Sequence, residues 1–116
     1  AHGDSMARIL IRDDTPVLER LLAAVATRAG HDVLPLGATP SDDVDGDLLL
    51  VDPLAAGAVE WASRLRAADP TLPVICIGGN PLDPHAAALR PAAVVPKPFT
   101  IAALDLAIAG ALRHEL

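Results

Sequence analysis

The sequence predicts an α/β domain in which a parallel sheet lies between two layers of helices. Five short apolar runs, each bounded by turn-forming residues, have the length of buried strands; they are residues 8–12, 33–36, 47–51, 73–77 and 92–95. Segments with helical periodicity lie between most of these runs, and strands that alternate with helices form right-handed parallel crossovers. The chain is 52% apolar but only 2% aromatic, which suits a sheet covered on both faces by small and branched side chains.

The length of the chain indicates one domain. Its 116 residues are enough to bury a substantial core and too few for two independent cores. Residues 1–5 stand ahead of Met6 and are interpreted as a remnant of the expression vector. Residues 6–116 are therefore predicted to form a single domain.

The helical segments are marked by capping residues and by apolar residues on one face. A first helix begins at the Thr15-Pro16 pair, because Thr is a common cap and Pro is favoured in the first turn, and it ends near Gly30. A further helix covers residues 58–68, and Thr100 caps the last helix.

Two of the connections are too short for full helices. Residues 37–46 supply about two turns at most, given a rise of about 1.5 Å per residue, so the second helix of the domain is predicted to be shortened. Between the fourth and fifth strands, prolines bracket a single short helix around residues 85–89.

Charge and cysteine content exclude several classes of function. The chain has 15 acidic and 9 basic residues, a formal charge of −6, and no basic stripe for nucleic acid. No apolar stretch approaches the roughly 18 residues that span a bilayer, and no signal peptide is recognised, so neither a membrane nor secretion is expected. The lone Cys76 lies in an apolar run and is interpreted as a buried, inert thiol. A reducing, cytoplasmic setting is therefore predicted.

Charged residues directly follow three of the predicted strands. Asp13 and Asp14 follow the first strand, Asp52 follows the third and Lys97 follows the fifth. Because ligands bind beyond the carboxyl ends of parallel strands, these side chains are expected to meet. Three neighbouring carboxylates repel one another, so a cation is expected among them, supplied by Lys97 and by a hard divalent ion such as Mg²⁺. Taken alone, each acid is also explained as a turn or helix-capping residue.

Four motifs appear in a fixed order along the chain. They are Ile-Leu-Ile-Arg-Asp-Asp at 9–14, Asp-Leu-Leu-Leu-Val-Asp at 47–52, Leu-Pro-Val-Ile-Cys-Ile at 72–77 and Val-Pro-Lys-Pro-Phe-Thr at 95–100. Their order and spacing resemble the receiver domain of bacterial response regulators, from about residue 8 to the C-terminus. The resemblance implies a flavodoxin-like three-layer sandwich with a five-stranded parallel sheet in the order 2-1-3-4-5.

The resemblance also implies a role for each residue of the site. Asp52 would accept a phosphoryl group, and Lys97 would pair with that group. Asp13, Asp14 and Asp52, with the backbone carbonyl of Leu54, would hold Mg²⁺. The Lys97–Pro98 bond would be cis. The domain would catalyse at most its own aspartyl phosphorylation and dephosphorylation.

The partners follow from the same resemblance. A histidine kinase or phosphotransfer protein would donate the phosphoryl group. A downstream protein would read the surface of the family's fourth helix, fifth strand and fifth helix.

Two residues depart from the family pattern at its switching machinery. The hydroxyl residue expected after the fourth strand is replaced by Gly78, and the aromatic residue expected in the fifth strand is Val94. Backbone N–H groups of Gly78 and Gly79, or the Asn80 amide, are the predicted replacements for the hydroxyl as phosphate-binding donors. The loop at residues 53–57 is also shorter than usual.

Two hypotheses follow for the function. In the first, the chain is a phosphoacceptor domain of a phosphorelay. In the second, it is a pseudo-receiver, a docking module that a partner reads without phosphorylation. An aspartyl phosphatase is disfavoured, because the acid it needs two residues after the nucleophile is Leu54 here. A nucleotide-binding sheet is excluded by the absence of a Gly-rich loop after the first strand.

Overall fold

The computed structural model describes residues 7–36, 44–78 and 84–113. Strands and helices alternate along the chain. In order they are β1 (Arg8–Arg12), α1 (Pro16–Arg28), β2 (Asp32–Pro35), β3 (Leu48–Val51), α2 (Ala58–Ala68), β4 (Val74–Ile77), α3 (Pro84–Ala88), β5 (Ala93–Val95) and α4 (Ile101–Arg113).

The five strands form one parallel sheet in the order β2-β1-β3-β4-β5, which confirms the predicted fold class. The register places Arg12 opposite Val51 and Cys76 opposite Val94. The carboxyl ends of β1, β3 and β5 therefore lie along one edge of the sheet.

The sheet is buried on both faces because its central strands are continuously apolar. Every residue of β3 and β4 is buried, as are the last four of β1. On one face, alternate strand residues such as Ile9, Leu50 and Ile77 pack with residues of α1 and α4. On the other face, residues such as Leu10 and Cys76 pack with α2, α3 and their flanking loops. This is the covered parallel sheet that an apolar but aromatic-poor sequence predicts.

The element boundaries lie within one or two residues of the predicted ones. Of the two predicted helix caps, only one makes a capping hydrogen bond. Thr100 caps α4 through its hydroxyl, whose Oγ1 accepts the N–H of Ala103 at 3.0 Å. Thr15 is the residue before α1, but its side chain makes no capping hydrogen bond. The predicted shortened helix falls mainly on residues 37–43, which lie outside the described residues, as do residues 1–6.

Within the described parts of the chain, no helix has both the length and the apolar character needed to cross a membrane.

Candidate functional site

The predicted site residues lie together at the carboxyl edge of the sheet. Asp13 follows β1 directly, and Asp52 follows β3, held against the end of β1 by its N–H, which donates to the carbonyl of Arg12 at 3.0 Å. Lys97 follows β5 after one residue, and the Lys97–Pro98 bond is cis, as the resemblance implies.

Lys97, Asp13 and Asp52 form a first set of ion pairs, called the Lys97 group below. The ammonium Nζ of Lys97 donates to Asp52 Oδ2 at 2.8 Å and to Asp13 Oδ2 at 3.1 Å. The Asp13 side chain is fully buried, that of Asp52 is 14% exposed and that of Lys97 is 26% exposed. One partly exposed cation thus pairs with two largely buried acids, so the three residues lie together as predicted.

The contacts of Lys97 affect its pKa in opposing directions. Burial lowers the pKa of this amine, whereas its hydrogen bonds with Asp52 and Asp13 raise it, and the net pKa lies above the ordinary value. Lys97 therefore keeps its positive charge throughout the neutral range.

Backbone N–H groups bind the remaining oxygens of the two acids. Asp13 Oδ1 accepts the N–H of Thr15 at 2.9 Å, and Asp52 Oδ1 accepts the N–H of Leu54 at 2.9 Å. Asp13 thus also holds the turn that leads into α1, because Thr15 is the residue before the helix.

Asp14 belongs to a second set of contacts, called the Arg12 group below. Its Oδ1 accepts from Nη1 of Arg12 at 2.6 Å, and its Oδ2 accepts the N–H of Ala56 at 2.9 Å. Nη2 of Arg12 donates to the carbonyl of Ala56 at 2.9 Å. The Arg12 side chain is 1% exposed and that of Asp14 is 46% exposed. In this group a buried cation is paired with an exposed acid.

The N–H of Ala56 and the guanidinium of Arg12 together hold the pKa of the Asp14 carboxyl below its ordinary value. The backbone hydrogen bond is the larger of these two effects.

The structure does not bring Asp13, Asp14 and Asp52 together as the ligands of one metal ion. All six oxygens of these carboxylates accept hydrogen bonds from protein donors, and Asp14 is held by the Arg12 group rather than by the Lys97 group. Among the described residues, no three His, Cys, Asp or Glu side chains are grouped so that they could hold a metal. The arrangement therefore does not fit the implied Mg²⁺ site, because Asp14 is bound by Arg12 rather than by Lys97, and all three carboxylates are already paired with side-chain cations or backbone donors.

The N–H of Gly78, predicted to bind phosphate, already has a partner within the protein. Its N–H donates to the carbonyl of Val95 at 2.7 Å, so this donor is used inside the sheet. Its φ is +81°, and an added Cβ would lie 3.0 Å from Cδ of Lys97. Gly78 thus makes room for the lysine rather than replacing a hydroxyl. Gly79 and Asn80 lie outside the described residues.

The sequence pattern does not reveal Arg12 as a residue of the site, because it stands at the end of a predicted strand. A charged residue in a buried strand is rarely without a partner. The signal in the sequence is its spacing from Asp14, because a strand continued past Arg12 would place the two residues on the same side.

Comparison with known proteins bears on the fold. No protein-family model matches the sequence, and no curated protein matches it. The signal receiver domain of a modulated diguanylate cyclase from Desulfovibrio desulfuricans G20 is 25% identical, with 96% of this chain and 97% of that chain covered and a TM-score of 0.79. A response regulator receiver protein from Sinorhizobium medicae WSM419 is 23% identical, with 96% and 98% covered and a TM-score of 0.78.

NtrX from Brucella abortus, solved in complex with ADP, is 24% identical, with a TM-score of 0.81. The match covers 95% of this chain but only 28% of that one, so the chain spans little more than a quarter of NtrX. Sheet order, helix placement and these similarities agree: the chain has the fold of a response regulator receiver domain.

Proposed function

We propose that this domain accepts a phosphoryl group on Asp52 and passes the resulting signal on by protein contact. The observation that carries the proposal is the Lys97 group. Of the two acids bound to Lys97, Asp52 is the one that reaches solvent. Its Oδ2 lies 2.8 Å from Nζ of Lys97, which is also bound to the buried Asp13. A reachable carboxylate beside a fixed cation is the arrangement that an aspartyl acceptor needs.

The chemistry of the step is a phosphoryl transfer from nitrogen to oxygen. A carboxylate oxygen of Asp52 attacks the phosphorus of a phosphohistidine on a histidine kinase or phosphotransfer protein. The O–P bond forms as the N–P bond breaks, and the electron pair of that bond stays on the imidazole nitrogen, which takes up a proton. Lys97 stabilises the negative charge on the equatorial oxygens of the phosphoryl group. The product is an acyl phosphate.

The resulting charge is the signal of the proposed function. A phosphoryl group adds about −1.5 to −2 charges at the end of β3, and Lys97 is the cation placed to meet it. A downstream protein would then read α3, β5 and α4, the elements nearest to Lys97 along the chain. Mg²⁺ as an assistant to the transfer stays a prediction, and none of the contacts of Asp14 supports it.

A second candidate function is the pseudo-receiver, and one observation favours it. Every oxygen of the three carboxylates already accepts a hydrogen bond from the protein, so each has a partner without any added group. A docking module would need only this resting arrangement.

Intact-mass measurement after incubation with a small phosphodonor separates the two candidates. The native chain is expected to gain the mass of one phosphoryl group, and Asp52→Asn is expected to gain none. Asp45→Asn is the matched control, because Asp45 is exposed and lies before β3 rather than after it. The same three proteins are also incubated with a phosphorylated histidine phosphotransfer protein, in case a small donor reacts too slowly.

The acyl phosphate should be lost on treatment with hydroxylamine, which cleaves acyl phosphates but leaves phosphate esters. No mass gain from either donor would contradict the phosphoacceptor and leave the docking module. A gain that persists in Asp52→Asn would place the modification elsewhere.

A further inference from the structure

The guanidinium of Arg12 lies inside the fold, with 1% of the side chain exposed. Its two terminal nitrogens bind Asp14 and the carbonyl of Ala56, and the N–H of Ala56 binds Asp14 in turn. These three contacts close a ring between the end of β1 and the loop before α2. Asp14 has both oxygens occupied within that ring.

Stability alone does not account for an arginine at this position. Within the described part of the chain, Nε of Arg12 is buried and has no hydrogen-bond partner. A buried donor without a partner is costly, and an apolar side chain of similar volume often replaces a buried ion pair without loss of stability. The three residues before Arg12 in β1 are apolar and buried, so the fold would accommodate such a residue there.

We propose that the Arg12 guanidinium occupies Asp14 in place of a divalent cation and thereby keeps divalent cations from the site. This inference rests on the proposed function, because it concerns the cation that would assist transfer to Asp52. A hard divalent ion needs carboxylate oxygens with free lone pairs, and Mg²⁺ gives up its waters reluctantly. Here Arg12 takes up a lone pair of Asp14 through a 2.6 Å charge-assisted bond, and a cation bound to another lone pair would lie close to the positively charged guanidinium.

The charge balance of the whole site points the same way. Arg12 and Lys97 set two fixed positive charges against the three carboxylates of Asp13, Asp14 and Asp52. A site with Lys97 as its sole cation would attract a divalent ion much more strongly. Arg12 therefore lowers the attraction of the site for Mg²⁺ both by occupying a ligand and by repulsion.

The test is a Mg²⁺ titration of the native chain and of Arg12→Met, followed by the amide shifts of Asp13, Asp52 and Leu54. Removing Arg12 is expected to tighten Mg²⁺ binding by at least about tenfold, the lower end of the change in metal affinity seen when residues bound to metal ligands are altered. Arg8→Met is the matched control, because it removes the same charge at the exposed other end of β1 and should change the affinity little.

Two further variants assign any gain in affinity. Arg12→Met combined with Asp14→Asn should return Mg²⁺ binding to the native strength, since Asp14 is the ligand that is released. Arg12→Gln, which has a side-chain donor for Ala56 without the charge, repeats the comparison if Arg12→Met does not fold. An increase of less than about tenfold in both Arg12 variants, or an equal increase in Arg8→Met, overturns the proposal.

Failure of this inference is distinguishable from failure of the proposed function. Mg²⁺ affinity is read from equilibrium shifts in unmodified protein, so it is decided even if Asp52 is never phosphorylated. Conversely, phosphorylation of the native chain with equal Mg²⁺ affinity in all variants would sustain the phosphoacceptor and overturn the role of Arg12.

Discussion

Two groups of ion pairs share one edge of the sheet, and they are built in opposite ways. In the Lys97 group, the acids are the buried members and the cation is partly exposed. In the Arg12 group, the cation is buried and the acid Asp14 is nearly half exposed. The distances are similar, at 2.6 to 3.1 Å, so distance alone does not distinguish the groups.

The difference decides what is left behind when one partner is removed. Loss of Lys97 leaves two carboxylates close together, one of them fully buried, without a neutralising charge. Loss of Arg12 leaves a single carboxylate that water can reach. Since an unpaired buried charge costs far more than an unpaired exposed one, the two groups should respond very differently to loss of their cation.

The largest effect is expected for Lys97→Met. This variant should lose about 2–4 kcal/mol of unfolding free energy, somewhat below the cost of breaking a fully buried pair because Asp52 retains some contact with water. Arg12→Met should lose much less, because the carboxylate left behind is exposed to water and the unpaired buried Nε is removed. Urea unfolding followed by the fluorescence of Trp61, the single and fully buried tryptophan, measures both.

Arg20→Met provides the control for the change in net charge, because Arg20 is exposed on α1. Its unfolding free energy should stay close to that of the native chain. Equal losses in Lys97→Met and Arg12→Met would show that burial of the remaining partner does not control these pairs.

A smaller loss of unfolding free energy is expected for Gly78→Ala, whose added Cβ would contact Lys97 and not Arg12. A left-handed backbone costs a residue with a Cβ about 1–2 kcal/mol, and this Cβ would also crowd Lys97. Gly110→Ala in α4 is the control, since a Cβ there meets nothing within 4 Å and alanine favours helix. The two variants should therefore shift the urea midpoint in opposite directions. A loss in both would mean that crowding near Lys97 is not the cause.

The same contrast between the groups separates what the sequence can predict from what it cannot. Short apolar runs locate β1, β3 and β5, and parallel strands must end at one edge, so the contact of Lys97 with Asp13 and Asp52 is predictable. The environment of Asp14 is harder to predict, because Asp14 lies in a bend after β1 and one of its two partners, the N–H of Ala56, comes from the loop before α2.

The contacts of Gly78 are unpredictable from the sequence for a different reason. Its N–H is taken by Val95, and its φ is positive. Neither property follows from the identity of the residue, because glycine adopts positive and negative φ about equally well. A missing hydroxyl is visible in the sequence, whereas the direction of a backbone N–H is set by how the end of β4 meets β5.

The smallest effect is the pH dependence of unfolding free energy. The Lys97 group should lose its contribution at alkaline pH and the Arg12 group at acidic pH. The pKa of Lys97 is raised in the folded chain, so its contribution is complete below about pH 10.4, the unfolded value, and is lost as the pH rises through the higher folded pKa. The pKa of Asp14 is lowered, so its contribution is present above about pH 3.9 and is lost as the pH falls through the lower folded pKa.

Differences between matched proteins isolate these two contributions from the other titrating groups. The gap in unfolding free energy between the native chain and Lys97→Met should stay constant from neutral pH to about pH 10 and narrow above it. The chain has one lysine and no tyrosine, so the main other side chain that titrates above about pH 10 is Cys76. Burial raises the pKa of the Cys76 thiol to about 11. Cys76→Ala in both proteins removes this titration from the comparison. The gap between the native chain and Asp14→Asn should instead narrow only below about pH 4. Narrowing of the Asp14→Asn gap at alkaline pH would mean that Asp14 draws its stability from Lys97, and that the two groups act as one.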